Sequence, residues 1–216
     1  LGSLAGGLAH QIRNPVGIIR ASAQLLEVDD DPDARETALV IEEESDRIEH
    51  LVQDLLRYAD GARPQLQPED VCAVIDSVVA RVRPMAETEK IEIQTRCIPG
   101  LPPVLIDARQ IEQALLNLTV NAIQAIEGDG TLILGARYSN TATQGVDLYV
   151  SDNGPGIDAA DLPRIFDPFF STKDNGSGLG LSVVHRVVED HGARIYVTSE
   201  PDIGTTFSLH LPAAST

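Results

Sequence analysis

The sequence predicts two folds in one chain: an all-α helical hairpin, paired with a second copy into a dimeric four-helix bundle, followed by an α+β sandwich. Three observations predict this. Apolar residues recur at helical spacing through residues 1–60, with one break at 28–34. A stretch carrying Gly61, Pro64 and Pro68 ends that pattern. Beyond it, short alternating runs take turns with helical ones.

Residues 1–28 read as one helix, with Leu4, Leu8, Ile12, Val16, Ile19, Ala23 and Leu26 on one side. VDDDPDA (28–34) is a turn, with Asp31 or Asp33 as cap of the next helix. Residues 35–60 form that helix, with Ile41, Ile48, Leu51, Val52, Leu55 and Leu56 on one side. Two such helices bury too little alone, and two-fold pairing completes a bundle. GARPQLQPED (61–70) is an interdomain linker, which divides the chain into residues 1–66 and 67–216.

In the second part, residues 70–88 are helical, 90–97 and 103–107 are strands, and 108–127 is a helix ending near Gly128. TLILGARYS (131–139) and GVDLYVSD (145–152) form an antiparallel pair. A glycine-rich loop over 154–177 leads into a helix at 179–192, stopped by Gly192. Strands at 193–200 and 204–212 close a mixed sheet with helices on one face.

Composition narrows the function. A hydrophobic content of 43% supports a real core, and only 4% aromatics make it aliphatic. A net charge of -17 excludes a general nucleic-acid binder, which needs a basic face. No apolar run is long enough to span a membrane, and no signal peptide is present. The chain opens at Leu1 in mid-pattern, so it reads as a piece of a longer protein with an input region upstream. Cys72 and Cys97 match no metal or disulfide pattern and are expected as reduced thiols.

Four short motifs carry chemistry. HQIRNP (10–15) places His10 about 200° around the helix from Leu8, away from the apolar seam. Its own face holds Ser3, Gly6, Gly7, Asn14, Gly17 and Ala21, all small or short. Each glycine costs about 1 kcal/mol in a helix, and the reason for the cost is room for a bulky partner. Pro15 removes a backbone hydrogen bond and bends the helix one turn from His10. A neutral imidazole is a competent nucleophile near pH 7. His50, His185, His191 and His210 lack such a setting and are expected on the surface or half-buried.

NLTVNA (117–122) puts Asn117 and Asn121 on one side of a helix. In DNGPGI (152–157), Asp152 ends a strand, and Gly154 and Gly156 let the backbone approach a ligand closely. In GSGLGLS (176–182), Gly176, Gly178, Leu179 and Gly180 run into a helix whose N–H groups favour phosphate. Just before it, FDPFF holds three of the four phenylalanines, Phe166, Phe169 and Phe170, which suggests hinges of a mobile lid. Lys173 can pair with a terminal phosphate.

In this order the four motifs resemble the sensor histidine kinases of two-component signalling, over nearly the whole chain. HQIRNP with FDPFFSTK looks most like the nitrogen-regulator type. The second half resembles the Bergerat-type ATP fold of histidine kinases, gyrase-type topoisomerases, mismatch-repair ATPases and Hsp90 chaperones. The resemblance implies that His10 accepts the γ-phosphate of ATP and passes it to an aspartate on a response-regulator receiver domain. It implies that Asn121 holds Mg²⁺, that Asn117 lies beside the metal–phosphate cluster, and that Asp152 accepts from the adenine amine. GTTF (204–207) matches the family's last glycine motif, bringing Thr206 to the site. Hydrolytic members carry a glutamate where Asn117 stands, so Asn117 favours transfer over hydrolysis. The implied assembly is a homodimer through the 1–60 helices, with a cytoplasmic catalytic core.

Gln11 departs from the family pattern, which has an acid directly after the histidine. A carboxylate fixes the imidazole tautomer and stabilises the positive ring, whereas a Gln amide brings no charge. With Asn14 placed to orient a water, the alternatives are a response-regulator phosphatase with weak autokinase activity, or an ATP-gated scaffold. A plain ATPase is disfavoured by Asn117.

Overall fold

The computed structural model describes residue 12 and residues 16–24, 32–59, 63–139, 145–173 and 177–212. His10, Gln11, Asn14, Pro15 and Gly176 lie outside the described residues, as does the side chain of His50. The chain divides into two compact units, Leu1–Ala62 with Phe169–Leu179, and Arg63–Pro168 with Gly180–Thr216.

In the first unit, α1 is described over residues 16–24 and α2 over Pro32–Ala59. α2 opens on proline, which is preset for a first helical position. Asp33 therefore lies inside the helix, and Asp31 lies outside the described residues. Val16 and Ala23 are buried on α1, and Ala38, Ser45 and Val52 on α2. Steps of seven keep each set on one stripe. Arg20 Nη1 donates to Asp46 Oδ1 at 3.1 Å between the two helices. The expected seams are only partly buried: Val16, Ala23 and Val52 are inside, whereas Ile19 and Ile48 are exposed, together with Ile18, Leu39 and Val40. Among the described residues no helix is long and apolar enough to cross a membrane.

The second unit is an α+β sandwich. Its strands are β1 Gln67–Glu69, β2 Ile91–Cys97, β3 Val104–Ile106, β4 Gly130–Tyr138, β5 Gly145–Asp152, β6 Arg194–Glu200 and β7 Gly204–Pro212. Its helices are α3 Val71–Thr88, α4 Ala108–Ala125 and α5 Gly180–Asp190. The main sheet has the order β2-β4-β5-β7-β6. Only β2 and β4 pair in parallel, so the sheet is mixed. Alternation sorts its faces. Leu132, Leu134, Leu148, Val150, Leu209 and Leu211 are buried, while Arg137, Tyr149, Ser151, Thr206 and Ser208 fall on the opposite side. The apolar face meets Val71, Ile75, Ile111, Leu115, Leu118 and Val184 of the three helices, which form the core.

Three expectations need correction. The 61–70 stretch is more than a linker, because its Gln67–Glu69 pairs antiparallel with β3, Pro68 opposite Leu105. Strands of three residues, one holding a proline, carry no alternation to detect. Cys72 and Cys97 are bonded to each other. Cys72 opens α3 and Cys97 ends β2, and packing of α3 on β2 sets their Cα atoms 6.1 Å apart, within bridging range. Finally, His191 and His210 are buried. Each has a partner: His210 Nδ1 lies 2.9 Å from Asp147 Oδ1, and His191 bonds to backbone groups described below.

Candidate functional site

α4 is the common wall of the site. Asp107 caps its start, accepting from the N–H groups of Arg109 at 3.1 Å and Gln110 at 3.3 Å. Ile111, Ala114, Leu115, Leu118, Ala122 and Ile123 fill its inner face. Asn117 and Asn121, four residues apart, stand half-buried at the margin of that face. Asn117 Nδ2 donates to the carbonyl of Gly180 at 3.2 Å, and its Oδ1 accepts from Gln113 Nε2 at 3.0 Å. The Gly180 carbonyl can only accept, which fixes the orientation of the Asn117 amide. A Cβ on Gly180 would stand 3.7 Å from Asn121 Nδ2. Both asparagines therefore face the start of α5.

The DNGPGI turn closes the far end of the same wall. Asp152 Oδ1 accepts from Gly154 N at 2.9 Å and from Thr205 N at 3.3 Å. Gly154 is buried, and a Cβ there would sit 3.0 Å from Asp152 Oδ1 and 3.5 Å from the Ala125 carbonyl at the end of α4. Gly156 has φ +76°, and any Cβ would strike the carbonyl of Glu200. The turn is bound to the β6–β7 hairpin by Ile157 N to Ser199 Oγ at 2.8 Å and Asp202 N to Pro155 O at 2.8 Å. Asn153 Oδ1 also accepts from Thr131 N at 2.8 Å. The Asp152 carboxylate is thus held by backbone groups from two directions.

The two threonines of GTTF take opposite faces of β7. Thr206 Oγ1 pairs with Ser151 Oγ at 2.7 Å, on the side away from Asp152. Thr205 is the residue at Asp152, through its N–H, with its hydroxyl 2.9 Å from Ser199 Oγ. Sequence reasoning missed Thr205 and Ser199. Strand parity separates the threonines, but the register that sets parity comes only from the pairing of Asp152 with Thr205.

The loop ahead of α5 has an anchor and an exposed tip. Phe166 packs with its ring centroid 5.3 Å from His185 and 6.4 Å from Phe207. These contacts anchor it against α5 and β7. Phe169 is exposed with φ +67°. Its N–H donates to Gly178 O at 2.9 Å. Lys173 is exposed, and its N–H donates to Ser171 Oγ at 3.1 Å. Leu179 is buried. Asn117, Asn121, Asp152, Gly154, Gly156, Gly180 and Thr206 belong to the second unit, whereas Lys173, Gly178 and Leu179 fall in the first.

Behind the wall, burial pushes the Asp107 carboxyl up. The N–H groups of Gln65, Gln110 and Arg109 and the Arg109 charge outweigh it and hold the group below the ordinary carboxylate value. Unfolded, the same group takes its proton near pH 4. Its stabilising contribution is therefore complete above that pH and lost as pH falls through the lower folded value. Asp107→Asn, which cannot titrate, is expected to show a shallower fall in unfolding temperature below about pH 4. Equal acid slopes for the two proteins in a melting series would refute this.

The donor set suits a nucleotide with a hard cation. Amide oxygens on α4 are hard ligands for Mg²⁺, the start of α5 presents backbone N–H groups, and a Cβ on residue 180 would come into contact with the Asn121 amide at 3.7 Å.

Known proteins match this arrangement. Residues 106–215 match the model of the histidine kinase-, DNA gyrase B-, and HSP90-like ATPases. Residues 1–63 match that of the His Kinase A (phospho-acceptor) domain. The sensor histidine kinase ZraS of Escherichia coli (strain K12) is 38% identical over 214 residues, 98% of this chain and 45% of that protein. The sensory histidine kinase/phosphatase NtrB of Rhizobium meliloti (strain 1021) is 37% identical over 224 residues, 98% of this chain and 58% of that protein. The chain thus spans about half the length of these relatives. The crystal structure of histidine kinase ThkA in complex with response regulator protein TrrA is similar with a TM-score of 0.72, at 26% identity over 99% of this chain and 62% of that one. A chain that joins a phospho-acceptor region to this ATPase fold belongs to the sensor histidine kinases of two-component signalling.

Proposed function

We propose that this chain is the catalytic core of a homodimeric sensor histidine kinase, with residues 1–66 as dimerisation and phospho-acceptor domain and residues 67–216 as ATP-binding domain. The observation that carries this reading is the wall of α4, where Asn117 and Asn121 face the start of α5 while the Asp152 turn lies against the end of the same helix. ATP binds there, with Asp152 accepting from the adenine amine and the loop before α5, with Lys173, receiving the phosphates. Asn121, with Asn117 beside it, would hold Mg²⁺, which neutralises phosphate charge when bound. His10 Nε2 attacks the γ-phosphorus, the bond to the β–γ bridging oxygen breaks, and ADP leaves. The phosphoryl group then passes from His10 to an aspartate carboxylate of a response regulator. A Gln at position 11 adds no charge to stabilise the positive ring of His10, so the autokinase step is slow.

The exposed Ile18, Ile19, Leu39, Val40 and Ile48 support pairing of the helical unit with a second copy. ThkA, solved with its regulator, supports a receiver domain as the second partner. Use of ATP and of such a regulator supports a cytoplasmic site for the reaction.

The test is incubation with Mg²⁺ and γ-labelled ATP, beside His10→Ala and Gln11→Glu. Acid-labile, base-stable label is expected, falling to background in His10→Ala and forming faster in Gln11→Glu. Absence of label despite measured ATP binding would replace the kinase reading with a phosphatase or a scaffold.

A further inference from the structure

His191 directly follows α5 and is buried. Its Nε2 accepts the backbone N–H of Asp107 at 3.0 Å, and its Nδ1 lies 2.7 Å from the carbonyl of Val187. A backbone N–H only donates and a carbonyl only accepts. The partners therefore dictate a neutral ring with its proton on Nδ1 and its lone pair on Nε2. Asp107 in turn does three things. Its N–H meets His191, its Oδ1 caps α4, and its Oδ2 accepts the N–H of Gln65 at 3.0 Å. Gln65 lies in the stretch that follows the helical unit along the chain.

These bonds have a counterpart at the other end of α5. α4 and α5 pack against each other, and the pairing of 107 with 191 and of 117 with 180 makes them antiparallel. Asp107 meets His191 at the end of α5, and Asn117, half-way along α4, meets Gly180 at the start of α5. Ten residues of helix separate the two ties on α4, about 15 Å. α5 is thus tied to α4 at both of its own ends, which fixes its angle, whereas without the His191 tie its C-terminal end can shift on the apolar packing while Asn117 still holds its start. Pivoting would re-aim the first turn of α5, and the backbone N–H groups it offers to phosphate, relative to Asn121, and displacements on the order of 1 Å at a reacting site are costly.

We infer that Asp107 and His191 are positioning residues for the nucleotide site, and that Asp107 joins the interdomain stretch at Gln65 to the helices that hold the nucleotide. The inference deepens the kinase reading above and rests on it. His191 sets the angle of α5 on α4 and so governs nucleotide affinity. The Oδ2 arm of Asp107 holds the connecting stretch and so governs how the loaded domain reaches His10.

Three variants separate the arms. His191→Leu removes both ring contacts. His191→Gln returns an acceptor near the Nε2 position. Asp107→Asn keeps one carbonyl oxygen for the two capping N–H groups but turns an amide NH₂ toward Gln65. Titration with Mg²⁺ and AMPPNP, and the ATP dependence of autophosphorylation, are the readouts. His191→Leu is expected to raise Kd and KM roughly tenfold with kcat within about twofold, and His191→Gln to restore binding to within about threefold. Asp107→Asn is expected to leave Kd near that of the unaltered chain and to slow transfer severalfold. Lower unfolding temperatures without any shift in Kd or KM would overturn the inference, leaving plain capping contacts. Unaltered transfer in Asp107→Asn would overturn the part concerning Gln65. Failure of the unaltered chain to bind Mg²⁺ and AMPPNP would overturn the kinase reading and this inference together.

Discussion

Asp152→Asn is expected to weaken Mg·ATP binding by roughly 30- to 150-fold while the fold survives. The substitution is nearly isosteric. An amide oxygen can still accept from Gly154 N and Thr205 N, the two bonds that hold the turn. The second oxygen becomes an NH₂ donor. An adenine amine directed at that position then meets a donor, so a charge-assisted hydrogen bond is lost and a repulsive contact takes its place. Guanine presents a carbonyl where adenine has its amine, so the ratio of GTP to ATP affinity should rise in the same variant. Titration of both nucleotides, with a melting curve as control, checks this. An unfolding temperature close to that of the parent with unchanged ATP affinity would remove Asp152 from base recognition.

Gly204→Ala is the second large effect, and it acts through the backbone. Gly204 has φ +138°, a region that essentially only glycine occupies. An added Cβ would strike the carbonyl of Asp152. That carbonyl cannot retreat easily, because Asp152 pairs with Thr205 in the β5–β7 ladder. The expected cost is about 3 kcal/mol or more, combining conformational strain with a backbone collision. In a domain of this size that lowers the unfolding temperature by roughly 6–12 °C. The start of β7 must then move, drawing Thr205 N from Asp152 and weakening nucleotide binding. Gly128→Ala is the control: its φ is +82°, but nothing lies within 4 Å of the added Cβ. It should cost only about 1–2 kcal/mol. Equal melting shifts for the two variants would show that the collision at Asp152 contributes nothing.

Much of this molecule is legible from local pattern. The main-sheet strands and the α/β helices stand where alternation and helical spacing place them, because each burial face is written into a few consecutive residues. The four motifs can be read too, since an asparagine pair one turn apart, or a glycine beside an aspartate, needs no distant partner to be recognised. Where reasoning faltered, the missing information was non-local. β1 exists because Ile106 lies beside Gln67. Cys72 meets Cys97 only through packing of α3 on β2. Thr205, not Thr206, meets Asp152 because of strand register. The helical seam was half-legible: period alone gave the stripes, but whether Ile19 and Ile48 are buried depends on what covers them.

The amino-acid sequence by itself determined the order of the two parts, their secondary structure and the chemical groups available: an imidazole, two helix amides, a carboxylate on a turn and a glycine loop. Periodicity and residue type are properties of neighbours along the chain. The tertiary structure alone decided which of these groups meet. It set Asn117 against Gly180, Thr205 against Asp152, and Asp107 between Gln65 and His191, the last a contact across 84 residues. Such contacts follow from how layers pack and strands align, and no short stretch of sequence contains that information.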